Sequence, residues 1–415
     1  MTTNPFLDRE DVLVRIRAAF ATRDAHYGER RAVLKARLAP LAAHLDQLQK
    51  AGHPMICAQQ ILLEVQWLLN YRDDWQRATQ RIDDLEHSIG QINDHGPVQD
   101  DDGSWGGCCT EWYRKLEPTV DALQGVLPGG GLKPLRFMQR LTDPGRVLDY
   151  LYRLQISDIA ATGANHRDEL GAVQSALSQL IFKDQLRELL ESRDLGFSVS
   201  VELEAVYSDY LDQTQHPRTG YWGPWYRFGD QLVPVQDLSF TFHVVQYRSG
   251  NIANWPLVID STLEIKKLIY PAGWAPDPQT PFSNHNNYDV LSLFCYGWPH
   301  MTAAQKTAAR QEITGMLEWC LTKGLPDASV SGAAADILDG YYFAVRFLDR
   351  AGFWDPAKRF WLHRQPDLPA GVVSPHDLAQ RLAADFAALH DTSEEGDTVR
   401  DLLRAAACIL APTAA

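Results

Sequence analysis

Two stretches of this chain concentrate side chains able to do chemistry. The first holds Asp237, Ser239, Thr241 and His243, with Tyr247 and Arg248 one turn later. The second reads Asn284, His285, Asn286, Asn287, Tyr288, Asp289 and runs straight into an apolar segment. An imidazole titrates near neutral pH, so His243 can act as a general base. Tyr247 shares its helix face at i+4, and Arg248 can grip a carboxylate with its planar fork. The competing roles are ordinary ones: a packed histidine on a backbone carbonyl, and an arginine in a salt bridge. In the second stretch, three Asn and a His are costly to bury without a ligand or a hydrogen-bond network. One of them, or Ser283, caps the helix. His243, His285 and Tyr288 are therefore the expected catalytic groups. Trp222, Trp225, Asp237, Tyr247, Arg248, Asn286, Asn287 and Asp289 are the expected substrate contacts, with Asp289 orienting a neighbour. Trp222 and Trp225, in TGYWGPWY, offer either stacking faces or packing under a Gly-rich turn.

Other polar positions read differently. Asp100, Asp101 and Asp102 suit a hard cation by type, but the loop lacks the other ligands of a calcium site and reads as a solvated turn. Cys108, Cys109 and His95 lack zinc spacing, so neither metal nor cofactor is expected. Glu64, inside the apolar run ILLEVQWLLNY, is a core ion-pair partner ahead of a cavity residue. Arg167 and Glu169 read first as a loop-to-helix network and second as ligand contacts.

Helices must position these groups. Charged helical segments alternate with apolar ones: residues 8 to 50 are charged, Ile56 to Tyr71 apolar, and the next segment charged again. Apolar, inward-facing helices are expected to start near Ile56, Gly145, Gly171, Asp237, His285 and Gly332. Asp143 before Pro144 has the form of a helix start. Strand-like alternation is confined to pieces such as SFTFHVV, where the surroundings fit a helix better. The pattern predicts an all-α fold, a double-layered (α/α) barrel or toroid with about six inner helices. Residues 1–50 form a helical extension and 51–415 the toroid. In such a fold His243 and the His285–Asp289 cluster lie at the same end of neighbouring inner helices and share one cavity.

Composition sets outer limits. Hydrophobic residues at 45% and charged residues at 22% describe an ordinary globular chain. The formal net charge of -14, without a basic block, argues against nucleic acid and anionic membrane surfaces as partners. No segment has the roughly 18 uncharged apolar residues of a membrane span. The N-terminus carries acidic residues where a secretory peptide needs a basic start. The six cysteines form no CxxC pair. A cytoplasmic location with reduced thiols is the expectation.

Two loops resemble a known repeat. QDDDGSWGG (Gln99 to Gly107) is similar to the Gln-Asp-Gly-Trp element of squalene and terpenoid cyclases and their α/α-toroid relatives, and DQTQHPRTGYWG (Asp212 to Gly223) is a looser match. In that superfamily the element ties outer helices to loops. The chain departs from the Asp-x-Asp-Asp acid motif of class II cyclases, because Gln99 stands where the first Asp is required. The metal motifs of class I enzymes are absent too. Toroid polysaccharide lyases use Tyr, His, Asn and Arg in a central cleft, and the two stretches above supply those types. The resemblance thus implies a carbohydrate-active enzyme, lyase-type or hydrolytic, on an oligosaccharide, with uronic-acid glycans among the candidates. A terpenoid cyclase or prenyl-handling enzyme is the alternative, and a non-catalytic helical binding scaffold the second.

Overall fold

Local chemistry sets where the helices begin. Asp143 accepts a hydrogen bond from the Arg146 N–H at 3.0 Å, with Pro144 in the first turn. Ser283, Asp237 and Ser200 cap their helices in the same way, and Thr302 and Gln305 form a reciprocal capping box. The computed structural model describes residues 10–51, 53, 55–72, 74–90, 98–105, 108–125, 131–268, 270–271, 273–275, 282–325, 334–362, 372–387 and 394–410. His95 and Gly332 lie outside this set. The described residues are mostly helical, in agreement with the all-α expectation, and no helix among them is long and apolar enough to cross a membrane.

The chain divides into two compact units. The first comprises residues 1–216, 222–248 and 269–271. Its helices are α1 (Glu10–Arg23), α2 (Tyr27–Lys50), α3 (Ile56–Tyr71), α4 (Trp75–Gly90), α5 (Leu116–Gln124) and α6 (Pro144–Gln155). They continue with α7 (Ile159–Thr162), α8 (Arg167–Phe182), α9 (Asp184–Arg193), α10 (Val201–Thr214) and α11 (Leu238–Tyr247). Helix α8 is the hub, packing on α3, α5, α6, α9 and α11. Its Leu170, Val173, Leu177, Leu180 and Ile181 are fully buried. Burial of each such side chain contributes about 1.5–3 kcal/mol. Gly171 lets α11 approach: a Cβ there would meet the Phe240 ring at 2.6 Å.

A small sheet, β1 (Ile156–Ser157), β2 (Trp225–Phe228) and β3 (Gln231–Pro234), also belongs to this unit. Trp225, expected beside a Gly-rich turn, begins β2, where Phe228 pairs with Gln231 across the two-residue turn Gly229–Asp230, and Gly229 takes φ +60°. Two-residue hairpins favour glycine at that first central position. SFTFHVV, by contrast, is helical within α11, as its surroundings imply.

The second unit comprises residues 217–221, 249–268 and 272–415. It contains α12 (Trp255–Glu264), α13 (Asn284–Gly297), α14 (Ala303–Trp319), α15 (Ala334–Arg350), α16 (Pro375–Ala387) and α17 (Glu394–Leu410). Helix α13 packs on α12, α14 and α15 through the buried Val290, Leu291, Leu293 and Phe294.

Two expectations need correction. Cys57 and Cys108 are joined as a disulfide, with Cα atoms 5.4 Å apart, so the thiols are not all reduced. Sequence spacing could not show this, because the pairing needs α3 brought against the loop before α5. Trp222 offers no stacking face: it is 1% exposed, and its indole N–H donates to the Leu211 carbonyl at 2.8 Å.

Candidate functional site

The first unit has a water-open cavity of about 170 Å³ where α5, α8 and α11 converge. The short helical turn Trp112–Lys115 supplies Arg114 and α5 supplies Glu117. Arg167, Asp168 and Gln174 come from α8, and Ser239, Phe240 and His243 from α11.

Charge is arranged in pairs. Arg114 is ion-paired with Asp168. Arg167 Nε donates to the buried Asp237 at 2.7 Å, and Asp237 also caps α11 through the Phe240 N–H. Burial opposes the charge on Arg167, but Asp237 and the phenols of Tyr71 and Tyr270 hold its pKa well above the usual value. Glu117 is exposed at the cavity mouth. Desolvation by the protein around the mouth pushes its carboxyl above the usual range, Arg114 opposes, and Asp168 reinforces. Burial likewise raises Asp168 despite Arg114 and Arg167. Two carboxyls inclined to hold protons therefore sit beside arginines, an arrangement suited to proton donation.

Two lining residues carry unmet hydrogen-bond capacity. The Arg114 Nε–H is buried without an acceptor. The buried Gln174 donates through Nε2 to the Tyr210 hydroxyl at 3.2 Å, while its Oε1 accepts nothing. A buried donor and a buried acceptor without partners are costly. Both atoms lie behind the cavity surface rather than open to it.

The residues singled out from sequence fall into two groups. In the first unit, only His243 lines the cavity among the expected catalytic and binding residues. Its ring stacks on Tyr247 with centroids 5.6 Å apart, and the Lys183 ammonium lies 5.1 Å from the Tyr247 centroid. Arg248 is paired with Asp212, the ordinary role weighed for it. Trp225 is half-buried at the start of β2, against the His216 ring. Arg167, read first as a network residue, holds that network and lines the cavity as well. Arg114, Glu117, Asp168 and Gln174 were missed. Nothing in their local sequence marks them, since they meet only when three helices pack.

The second group lies in the second unit, on α13. His285 is exposed and stacks on Phe343 with centroids 4.0 Å apart. Desolvation against the neighbouring protein lowers its pKa, opposed by Asp339. The Tyr288 hydroxyl accepts from Arg346, whose guanidinium lies 4.4 Å from the Tyr288 centroid. Asn286 is half-buried in the first turn, where its N–H donates to Ser283 Oγ at 3.2 Å. Asn287 is 0% exposed, and neither amide atom of its side chain has a partner. Asp289 is buried, and that burial raises its carboxyl well above the usual range despite Arg346.

Two further expectations resolve as ordinary structure. Glu64 is fully buried and ion-paired with Arg77 at 3.1 Å and Arg81 at 2.8 Å. In the Asp loop, Asp101 pairs with Lys133 and Asp102 with Lys115, while Ser104 donates to Asp102. Gly103 takes φ +87° there, and a Cβ would fall 2.1 Å from the Pro134 carbonyl oxygen. Comparison with protein-family models, curated proteins and solved structures finds no match to this chain.

Proposed function

We propose that the first unit is an acid–base enzyme acting on a short oligosaccharide, with one sugar residue seated in the cavity between α5, α8 and α11. The observation that carries this is the convergence of two carboxyls, Glu117 and Asp168, with Arg114 and Arg167 on one cavity. Its volume of about 170 Å³ admits a single ring. Glu117 is the proton donor to the leaving glycosidic oxygen, because desolvation keeps its carboxyl protonated to higher pH. Asp168 is the second carboxyl, and Arg114 and Arg167 favour a uronic-acid residue. Two carboxyls on one cavity favour the hydrolytic form of the reaction, with His243 the base if the reaction is instead an elimination. A double-layered toroid remains the proposed architecture, supported by the alternation of charged and apolar helical segments.

The test is a screen of the purified protein against uronic-acid disaccharides and trisaccharides. Two readouts run in parallel: new reducing ends for hydrolysis, and ultraviolet absorbance of an unsaturated uronide for elimination. Glu117→Gln should lower kcat by about 10²–10⁴-fold, the usual range for general acid–base catalysis. Turnover unaffected by Glu117→Gln, or no saccharide turned over or bound, sinks the reading.

A further inference from the structure

A second opening in the first unit has the opposite character. It is a cleft of about 550 Å³ between α1, the start of α2, and the end of α3. Leu13, Ile16, Ala18 and Ala21 of α1 line it, with Pro271 beside them. Arg17 and Arg31 also line it, and no carboxylate is among its described lining residues. In a chain of net charge -14, an apolar cleft with two arginines and no acid among those residues is a local reversal of charge.

The polar groups at its back wall are already satisfied. Asn165 donates to the Tyr270 hydroxyl at 3.1 Å and accepts from the Tyr226 hydroxyl at 3.0 Å. Arg31 is held by the Leu69 carbonyl at 3.1 Å and by Asn70 Oδ1 at 2.8 Å. Arg17 stands exposed at the cleft rim, where it attracts negative charge. The surroundings are cationic enough that burial, Arg31 and Arg17 together lower the pKa of Lys35 on α2. An apolar body against α1 and one anionic group at Arg17 would satisfy both halves of the cleft.

We propose that this cleft binds a single-chain carboxylate, its hydrocarbon body along Leu13, Ile16, Ala21 and Pro271 and its head group at Arg17. This site is separate from the acid–base cavity and does not depend on that assignment.

Decanoate is the probe, titrated calorimetrically into the full chain, with decanol and decyl phosphate as comparisons. Decanoate should bind at least tenfold more tightly than decanol. Arg17→Glu should weaken decanoate at least tenfold and leave decanol unchanged. Gly28→Leu supplies an independent arm. Gly28 lines the cleft, and a Cβ there meets nothing within 4 Å. The leucine projects into the cleft, so Gly28→Leu should weaken binding of both probes at least tenfold while Tm stays equal or rises. The proposal is overturned by any of four results: no decanoate binding, equal affinity for decanol, binding unchanged by Gly28→Leu, or decyl phosphate preferred more than tenfold over decanoate.

Discussion

Glu64 ties the packing of the first unit to its cavity, and its removal has a calculable cost. Its carboxylate, 0% exposed, accepts from Arg77, from Arg81 and from the Thr110 hydroxyl. The Arg81 side chain is 10% exposed, against 31% for Arg77. Glu64→Leu removes one of the two carboxylates on Arg81, which keeps Asp84 at 2.7 Å. Breaking a buried pair from one side costs about 3–5 kcal/mol, and the remaining partner places the cost at about 3 kcal/mol. At roughly 2–4 °C per kcal/mol for a domain of this size, Tm should fall by about 6–12 °C. Glu64→Leu combined with Arg81→Met removes both charges and should recover part of the loss. Recovery is incomplete because Arg81 also pairs with Asp84 at 2.7 Å and donates to the Cys108 carbonyl at 2.6 Å. Leaving the carbonyl unpaired costs about 1–3 kcal/mol. Arg77→Leu, at the more exposed partner, should cost about 1 kcal/mol or less. Urea unfolding followed by tryptophan fluorescence, with calorimetry alongside, gives all four values. The reasoning fails if Glu64→Leu costs under about 1 kcal/mol, or if the double variant is less stable than Glu64→Leu alone. Thr110 rests on Glu64 four residues before Arg114, so the same variant should also lower kcat on any saccharide the protein turns over.

Three further outcomes follow from the geometry. The Cys57–Cys108 bond spans 51 residues; by loop-closure entropy, reduction or Cys57→Ser should remove about 4 kcal/mol, and unchanged calorimetric stability under dithiothreitol would refute this. Because desolvation raises the Glu117 carboxyl above its ordinary value of 4.5, the folded state holds that proton to higher pH than the unfolded chain does. Stability is therefore lost as pH climbs from the unfolded value through the folded one. Glu117→Gln should then be more stable than the parent at neutral pH and equal to it well below pH 4.5, as measured by unfolding at the two pH values. Trp222→Ala should unfold the protein more readily by about 3–5 kcal/mol. A change confined to KM, with stability intact, would instead restore the stacking role that its burial denies.

Helix positions were legible in the sequence because their causes are local. Asp143 before Pro144, Ser283 before the Asn run, and the 3.6-residue spacing of apolar side chains each act within one or two turns, and each start appears where they place it. The pairing of Glu64 was legible for a related reason: a lone carboxylate in an apolar helix must find a cation. The hairpin at Gly229 also had a local cue, a glycine between two aromatic-rich runs, which the density of nearby tryptophans obscured. The cavity had no such cue. Arg114, Glu117, Asp168 and Gln174 look like ordinary helix-surface residues when read along the chain. Their unmet bonds and raised carboxyls arise from desolvation, and desolvation arises only when α5 and α11 close on α8. The same holds for Cys57 and Cys108, 51 positions apart, and for Trp222, whose aromatic face looked available until the core enclosed it. Sequence determined what each helix is and where it starts, since those energies depend on near neighbours. Tertiary packing decided which polar groups lose water and face one another, because desolvation and long-range pairing depend on residues far apart in the chain.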